Sequence, residues 1–423
     1  MLEITRIRTE KEQLIEALKK RNIDVTDTMN QIIEKDQQWR SKKTSLETIA
    51  ADLNKIAKEI GDLFKSGKAS EAEAAKQKTS QLKEDEAILK QEVDALDKDI
   101  TELLYQIPNV PNELVKAGKN EEDNETVEEV GTRKPLHADA LPHWELAKKY
   151  NLIDFELGVK ITGAGFPIYR GKGAKLQRAL IQFFLDEAEK AGYEEFIAPH
   201  VVNEASAYGT GQLPDKEGQM YYIGVDDLYM IPTAEVPLTN VYRDVILPDE
   251  NFSIKMTGYT PCFRREAGSY GAHVRGLNRL HQFDKVEIVR IEHPSNTAKA
   301  LTEMIDHVKG LLEKLGLHYR VLRLCGGDTG FASAMTYDFE VFSAAQEKWL
   351  EVSSCSRFDT FQANRLKLRY KGEDKKNYLA HTLNGSALAL PRIMASIMEN
   401  HQTPEGIVVP EPLRKYTGFD LIN

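Results

Sequence analysis

Two arginines far apart in the chain carry its most specific chemistry. Arg264 ends an apolar, strand-like run and is followed by Arg265 and Glu266, whereas Arg392 stands behind Pro391 at the start of an amphipathic segment. A guanidinium is permanently charged, and its fork of N–H donors grips phosphate oxygens in pairs. Proline is tolerated only in a first helical turn, so Pro391 predicts a helix that presents Arg392 at its N-terminal end. Two such grips suit a nucleoside triphosphate, and the chain has no GxxxxGK[ST] sequence of a P-loop.

A carboxylate and two hydroxyls end another strand-like run. The segment reads Glu351, Val352, Ser353 and Ser354, and strict alternation predicts Glu351 and Ser353 on one face with Ser354 near the edge. A carboxylate and a hydroxyl beside phosphate oxygens suit Mg²⁺, which takes oxygen ligands and shares them with substrate phosphates. We therefore expect Glu351 and Ser354 to hold Mg²⁺ together with the nucleotide.

Two further carboxylates indicate a polar pocket. Thr233 and Glu235 flank Ala234 just after a proline, and this pair can hold an ammonium group. Glu287 lies in the apolar run KVEIV, where a carboxylate is costly unless it is paired. Ser386, shortly before the helix of Arg392, can add a small polar contact.

The segment after Arg265 has the composition of a binding loop. Glu266 can accept a hydrogen bond from an exocyclic adenine amine, and Arg275 and Arg279 are candidates for pyrophosphate or RNA contacts. The chain returns at Leu280 to Phe283, where an aromatic ring can stack on adenine. Taken alone, FRRE is more often a surface cluster of ion pairs; the other segments favour a nucleotide site.

Composition limits the class of protein. The chain has 423 residues, of which 41% are hydrophobic and 29% charged, and a net charge of −10 argues against a generally basic nucleic-acid binder. The chain has no apolar run of about 18 residues, so no membrane span is expected. The N-terminus lacks the apolar core of a signal peptide. We expect a cytoplasmic protein with no membrane contact. Its three cysteines, Cys262, Cys325 and Cys355, form no CxxC pair and predict neither a disulfide framework nor a zinc site.

Hydrophobic spacing divides the chain into two regions. From Thr28 to Tyr105, two runs with heptad spacing flank Ser66–Lys68 and predict an antiparallel coiled-coil hairpin, each arm roughly 55 Å long. Its lysines are candidate phosphate contacts, but the spacing alone favours a dimerisation coil or a stiff spacer over a binding arm. We predict an N-terminal domain at 1–107, a linker at 108–142 and a mixed α+β domain with a largely antiparallel sheet at 143–423.

These segments resemble the class II aminoacyl-tRNA synthetases, and their neighbours resemble the bacterial type of seryl-tRNA synthetase. The similarity covers nearly the whole chain through the hairpin, IPNVP, RGKGAKLQRAL, TAE, FRRE-AG, FDKVE, EVSSCS and HTLNGSALA. It implies an α+β fold in which the hairpin grips tRNA and an antiparallel sheet flanked by helices forms the catalytic domain. Two departures are ALALPR, where many members have glycine before the arginine, and Arg265, which is often serine.

The resemblance also implies roles for particular residues. The serine site would comprise Thr233, Ala234, Glu235, Glu287 and Ser386. Pro199 matches a proline that lies at a two-fold dimer interface in the family, which implies a homodimer. The ATP site would comprise Arg264, Arg265, Glu266, Leu280, Phe283, Glu351, Val352, Ser353, Ser354 and Arg392, with Arg264 and Arg392 catalytic.

The implied activity is serine–tRNA ligation with ATP and Mg²⁺. L-serine would form seryl-adenylate and then pass to the 3′ end of tRNA(Ser), and of tRNA(Sec) as a second acceptor. No zinc is implied, because the three cysteines supply no zinc ligand set. Two alternatives stay open: a synthetase-like ligase that charges a carrier protein, against which the hairpin counts, and a coiled-coil interaction protein with an inactive body, against which Arg264, Glu351 and Arg392 count.

Overall fold

The structure is a computed structural model that describes residues 1–133, 135–249, 251–266 and 275–423. The chain divides into two compact units, one made of residues 2–18 and 23–108 and the other of residues 1, 19–22 and 109–423. The helices are α1 Ile4–Leu18, α2 Thr26–Lys65, α3 Ala69–Leu104, α4 His143–Lys149, α5 Phe155–Ile161, α6 Gly171–Lys190, α7 Glu204–Thr210, α8 Glu235–Asn240, α9 Thr297–Lys314, α10 Thr360–Leu366, α11 Leu390–Asn400 and α12 Glu411–Thr417. The strands are β1 Glu125–Val130, β2 Ile153–Asp154, β3 Ile168–Tyr169, β4 Glu194–Glu195, β5 Val201–Asn203, β6 Tyr222–Ile223, β7 Leu228–Met230, β8 Ile246–Leu247, β9 Ser253–Phe263, β10 Gln282–Glu292, β11 Tyr319–Arg323, β12 Met335–Ser343, β13 Lys348–Asp359, β14 Arg369–Lys371, β15 Asn377–Leu379, β16 His381–Ala389, β17 Gln402–Thr403, β18 Gly406–Val408 and β19 Leu421–Ile422.

The first unit is a hairpin of two long helices, as the heptad spacing predicts. The 40 residues of α2 span about 60 Å, and the chain reverses at residues 66–68, between α2 and α3. Lys35 pairs with Asp99 at 2.6 Å and Lys42 pairs with Glu92 at 2.7 Å. A step of seven residues forward in one arm therefore matches seven residues back in the other, which is antiparallel pairing.

A further helix, which the sequence analysis did not predict, packs at the base of this hairpin. Arg8 on α1 donates to both carboxylate oxygens of Asp36 on α2, at 2.5 and 2.7 Å. Arg40 donates to the same carboxylate at 3.0 Å. Burial raises the pKa of Asp36, but the hydrogen bonds from Arg8 and Arg40 outweigh burial and lower it. The charge is therefore fully compensated.

The second unit is built on an eight-stranded sheet in the order β1-β11-β12-β13-β16-β10-β9-β4. Its pairs are antiparallel except β4 with β9, which confirms the predicted α+β class. One large apolar cluster joins the sheet to α6, α9 and α11. It includes Phe184, Met304, Ile393 and Ile397, and each fully buried side chain of this size contributes about 1.5–3 kcal/mol.

The region interpreted as a linker contains a strand. Residues 125–130 form β1, which pairs with β11 at the edge of the sheet. Four of its six residues are exposed, and Glu125 forms an ion pair with Arg323. A charged, exposed edge strand has no apolar alternation, so the pattern gave no sign of it. None of the helices in the described residues is long and apolar enough to span a bilayer.

Candidate active site

Strand alternation builds one wall of a cavity of about 510 Å³ over the sheet. Phe283, Lys285 and Glu287 recur at every second position of β10 and all three line this cavity. Arg264 follows the end of the neighbouring strand β9, and Arg392 lies in the first turn of α11. The remaining lining residues are Gln212, Glu217, Gln219, Pro232, Thr233, Glu235, Glu266, Leu277, Asn278, Arg279, Leu280, Glu351, Val352, Ser353, Ser354, Asn384, Ser386, Ala389 and Pro391.

A buried acidic pocket occupies one part of the cavity. Glu287 is 2% exposed, and its Oε2 accepts from Thr233 Oγ1 at 3.1 Å and contacts Lys285 Nζ at 2.5 Å. No described residue donates a hydrogen bond to its Oε1. Glu235 accepts from Gln362 Nε2 at 2.6 Å. Two carboxylates close enough to act on each other electrostatically can bind a cationic ligand.

Burial and like charge shift the titration of both carboxylates. Burial, followed by the charge of Glu287, raises the pKa of Glu235 to about 7. Burial also raises the pKa of Glu287, against the opposing effect of Lys285. Carboxyl groups with raised pKa values that line a cleft are typical of functional sites.

The two arginines are each anchored through Nε. Arg264 Nε donates to Pro232 O at 3.3 Å, and its guanidinium lies 5.2 Å from the centre of the Phe283 ring. Arg392 Nε donates to Asn278 O at 2.9 Å, and its NH1 donates to Glu351 O at 2.7 Å. Among the described residues, nothing accepts from the terminal amino groups of Arg264 or from NH2 of Arg392. These donors are available to an anionic ligand.

A bulge in β13 corrects the predicted arrangement of its polar residues. Glu351 pairs with Glu340 and Ser353 pairs with Phe339, so Val352 is an extra residue in the register. Directly paired residues share a face of the sheet. Ser353 therefore lies on the face of Phe339, and the expectation that it shares a face with Glu351 was wrong.

The same bulge brings Glu351 and Ser354 to one face. Ser354 pairs with Asp338, two positions from Glu340, and it hydrogen bonds to the Asp338 side chain. Burial and the charge of Glu351 raise the pKa of Asp338. Asp338 Oδ1 has no partner among the described residues. A half-exposed carboxylate, a hydroxyl and an orphaned buried oxygen together fit a hard divalent cation that is shared with a ligand.

The segment around the predicted loop is described in part. Glu266 forms an ion pair with Arg279, and both side chains line the cavity. Arg275 lines a neighbouring cavity of about 760 Å³ instead, where it lies 4.9 Å from the Trp144 ring and 3.2 Å from Glu145. Residues 267–274, which belong to the predicted loop, lie outside the described residues.

The cavity brings together most of the predicted site residues. Ala234 does not line it, because its side chain is fully buried in a separate apolar cluster with Leu238 and Met256. Arg265 does not line it either; this residue is exposed, and its backbone N–H donates to Gln219 O at 2.9 Å. The predicted residues that do line it are Thr233, Glu235, Arg264, Glu266, Leu280, Phe283, Glu287, Glu351, Val352, Ser353, Ser354, Ser386 and Arg392.

Sequence reasoning missed several polar residues of the site. Lys285 had a readable signal, since it shares the alternating face of Phe283 and Glu287. Asn384 lines the cavity, and its Nδ2 has no partner among the described residues. A nearly buried donor without a partner indicates a ligand contact. Gln362 reaches Glu235 from α10, and no local pattern could have shown this contact.

Comparison with known proteins gives consistent matches over the full chain. The family model of the seryl-tRNA synthetase N-terminal domain matches residues 1–111, and that of the tRNA synthetase class II core domain (G, H, P, S and T) matches residues 223–401. The serine–tRNA ligase of Salinibacter ruber is 49% identical and covers 99% of this chain and 98% of its own. That of Akkermansia muciniphila is 43% identical and covers 100% and 99%. The crystal structure of seryl-tRNA synthetase from Pyrococcus horikoshii complexed with ATP superposes with a TM-score of 0.90 at 32% identity, covering 100% of this chain and 99% of its own.

Proposed function

This chain belongs to the seryl-tRNA synthetase family of class II aminoacyl-tRNA synthetases, and we propose that its 510 Å³ cavity is where serine and ATP react. Its activity is serine–tRNA ligation, in which L-serine and ATP give seryl-adenylate and pyrophosphate before serine passes to tRNA. One observation carries the assignment of the cavity. A buried acidic pocket and two arginines with unused donors line the same space.

The acidic pocket suits the amino-acid substrate. Glu235 and Thr233 would hold the ammonium group of serine. Glu287 would accept a hydrogen bond from the serine hydroxyl through Oε1, because Oε2 already binds Thr233 and Lys285. A pocket that buries a polar group for this hydroxyl discriminates against alanine and glycine, since either would leave that group unpaired.

The arginines suit the nucleotide. Arg264 and Arg392 would bind phosphate oxygens, Phe283 would stack on adenine and Glu266 would accept from its amine. Formation of the adenylate requires the serine carboxylate oxygen to attack the α-phosphorus while the bond to pyrophosphate breaks. Both reactants are anionic, and fixed guanidinium groups lower their repulsion and stabilise the charge of the transition state. No side chain needs to move a proton in this step, so positioning and charge carry it.

Mg²⁺ is proposed as the metal bound with ATP. Glu351 and Ser354 would hold it, since they share a face of β13 beside Asp338. When bound, the metal neutralises phosphate charge. The described residues contain no group of three His, Cys, Asp or Glu side chains placed to hold a metal ion. Phosphate oxygens would therefore supply the other ligands, as is usual for this cation.

We infer tRNA(Ser) as the acceptor and tRNA(Sec) as a second one, with the hairpin of α2 and α3 as the binding arm.

A homodimer is proposed from the edge of the sheet, where Ile197 follows strand β4 and is 94% exposed. Ile197→Glu would put a charge on this edge, and sedimentation should then detect a monomer. Cytoplasmic localisation stays a prediction.

The direct test of the proposed function is ATP–pyrophosphate exchange with each amino acid in turn. We expect exchange that depends on serine and Mg²⁺ and needs no tRNA. Exchange at equal rates with another amino acid, or without any, would overturn the assignment of the cavity.

A further inference from the structure

A second buried polar cluster lies outside the cavity, and neither His143 nor Glu399 at its centre lines that cavity. His143 at the start of α4 and Glu399 near the end of α11 are both fully buried, and His143 Nδ1 lies 2.7 Å from Glu399 Oε1. Glu399 also accepts from the backbone N–H of His143 at 2.9 Å, from Gln346 Nε2 at 2.9 Å and from Ser343 Oγ. Four donors to one buried carboxylate satisfy its hydrogen-bonding capacity.

The hydrogen bonds around His143 assign its tautomer. The backbone N–H of Leu277 lies 2.8 Å from His143 Nε2, and a backbone N–H can only donate. Nε2 is therefore the unprotonated nitrogen, and Nδ1–H donates to Glu399. Burial raises the pKa of Glu399, but the hydrogen bonds from His143 and Ser343 outweigh burial and keep it below its ordinary range. Glu399 is thus a carboxylate that fixes both the ring orientation and the nitrogen presented to Leu277.

Leu277 connects this cluster to the nucleotide side of the cavity. Leu277, Asn278, Arg279 and Leu280 are consecutive lining residues. Asn278 donates from Nδ2 to Gln346 Oε1 at 3.1 Å, and its carbonyl oxygen is the acceptor for Arg392 Nε. The carbonyl that anchors Arg392 thus belongs to Asn278, the residue next to Leu277, whose backbone N–H donates to His143.

The backbone beside Leu277 is packed against the ring of His143. Gly276 has a φ of 69°, and a Cβ at this position would lie 2.2 Å from His143 Nε2. Only glycine fits such a close approach in this conformation. The ring and the backbone are therefore matched in shape as well as by a hydrogen bond.

We propose that His143, oriented by Glu399, is a positioning residue that fixes residues 277–280 and, through the Asn278 carbonyl, sets the place of Arg392 for ATP. This inference rests on the proposed assignment of the cavity. It predicts an effect on ATP and not on serine, because the acidic pocket of Thr233, Glu235 and Glu287 makes no contact with this cluster. The competing explanation is a buried pair that stabilises the fold and does nothing for the site.

Two substitutions of His143 separate these explanations. His143→Gln places an amide oxygen near the position of Nε2 and keeps an acceptor for Leu277. His143→Asn places its amide near Nδ1, so it keeps the contact to Glu399 and loses the acceptor. The measurements are the KM for ATP and for serine in ATP–pyrophosphate exchange, with the melting temperature of each variant. The control is His307→Asn, which changes a half-buried histidine on α9.

We expect His143→Asn to raise the KM for ATP about five- to tenfold, the effect of one lost hydrogen bond to a neutral group. The serine KM should stay within about twofold, and His143→Gln should restore most of the ATP affinity. Equal melting losses in both variants with an unchanged ATP KM would overturn the proposal. If His143→Asn does not fold, Gly276→Ala gives the same readout by displacing the segment from the ring, and an unchanged ATP KM there also refutes it. A failure of the proposed function can be told apart from a failure of this inference, because the unchanged protein would then lack serine-dependent exchange.

Discussion

Replacement of Glu287 by glutamine gives the sharpest test of how serine is selected. In the structure, Oε2 of this buried carboxylate binds Thr233 and Lys285, and no described residue donates to Oε1. Glutamine can keep its carbonyl oxygen at the Oε2 position, which leaves an amide N–H₂ where Oε1 stood. The serine hydroxyl then loses its charged acceptor. A hydrogen bond to a charged group contributes about 1.5–3 kcal/mol, so kcat/KM for serine should fall roughly 10- to 150-fold.

Glutamine is preferable to alanine because of Lys285. This lysine is buried, and alanine would leave its ammonium group without a partner, which costs about 3–5 kcal/mol of folding stability. Loss of activity would then be confused with unfolding. A matched control is Glu292→Gln, which changes another buried carboxylate of β10 that is paired with an arginine, Arg290, at 2.6 Å.

The assay is ATP–pyrophosphate exchange at varied serine, alanine and ATP. The KM for ATP should change less than about twofold, and the preference for serine over alanine should fall together with kcat/KM for serine. Unchanged serine kinetics in a folded Glu287→Gln protein would remove this carboxylate from the pocket. An equal loss for Glu292→Gln would show a general effect on the sheet.

Three further changes test the remaining parts of the site. The pKa of Glu235 is raised to about 7, so its carboxyl is protonated below that pH and cannot bind an ammonium group. The KM for serine should therefore fall as pH rises from 6 to 8. This pH dependence should vanish in Glu235→Gln. The raised pKa of Glu235 also stabilises the folded protein, fully below the ordinary value of 4.5, and this stabilisation is lost as pH rises through about 7. Glu235→Gln lacks this pH dependence, so its melting temperature relative to the unchanged protein should rise between pH 4.5 and 7. No change in that difference would contradict the raised pKa. Arg392→Lys should lower the exchange rate about 10²-fold, because one ammonium nitrogen cannot replace the three guanidinium nitrogens, of which Nε binds Asn278, NH1 binds Glu351 and NH2 would bind a phosphate. A loss under threefold would contradict this role. Removal of residues 44–90 shortens the hairpin and keeps Lys42 and Glu92, which pair across its arms. ATP–pyrophosphate exchange should stay within twofold, and tRNA charging should fall at least about 10²-fold because the arm no longer binds RNA. Normal charging would show that the hairpin is a spacer.

The elements with strong periodicity could be predicted from the sequence. The hairpin helices, the helix α11 and the strands β9, β10 and β13 all occur where the apolar runs predicted them. The helix of Arg392 begins at Leu390, as Pro391 indicated. These elements bury one face against the core, and that burial is what the pattern records.

The central strand β16 could not be predicted in the same way. It lies between β10 and β13, yet its sequence HTLNGSALA consists mostly of small and polar residues with low strand propensity. The reason is close packing on the face opposite the cavity. A Cβ at Gly385 would lie 2.7 Å from Cys355 Sγ, so the neighbouring strand β13 requires a small residue at this position. Tertiary contact decides this strand, and local propensity does not.

Much of the polar site was readable from local patterns, and the missing parts depend on tertiary contacts. Glu287 stands out within the apolar strand β10, and Arg264 stands out directly after the apolar end of β9. Gln362, Asn384 and His143 reach the site or its supports from distant elements, and their immediate neighbours give no sign of this. Such residues become visible only when buried donors and acceptors are followed through the structure.

The bulge at Val352 shows how a single residue can decide a proposed metal site. In a regular strand, positions three apart such as Glu351 and Ser354 point to opposite faces. The extra residue reverses the alternation between them, so the carboxylate and the hydroxyl reach the same side of the sheet. Bulges commonly re-aim side chains beside active sites. The sequence supplied the right residue types at β13, but the register of the strand, set by its pairing with β12, determines which of them act together.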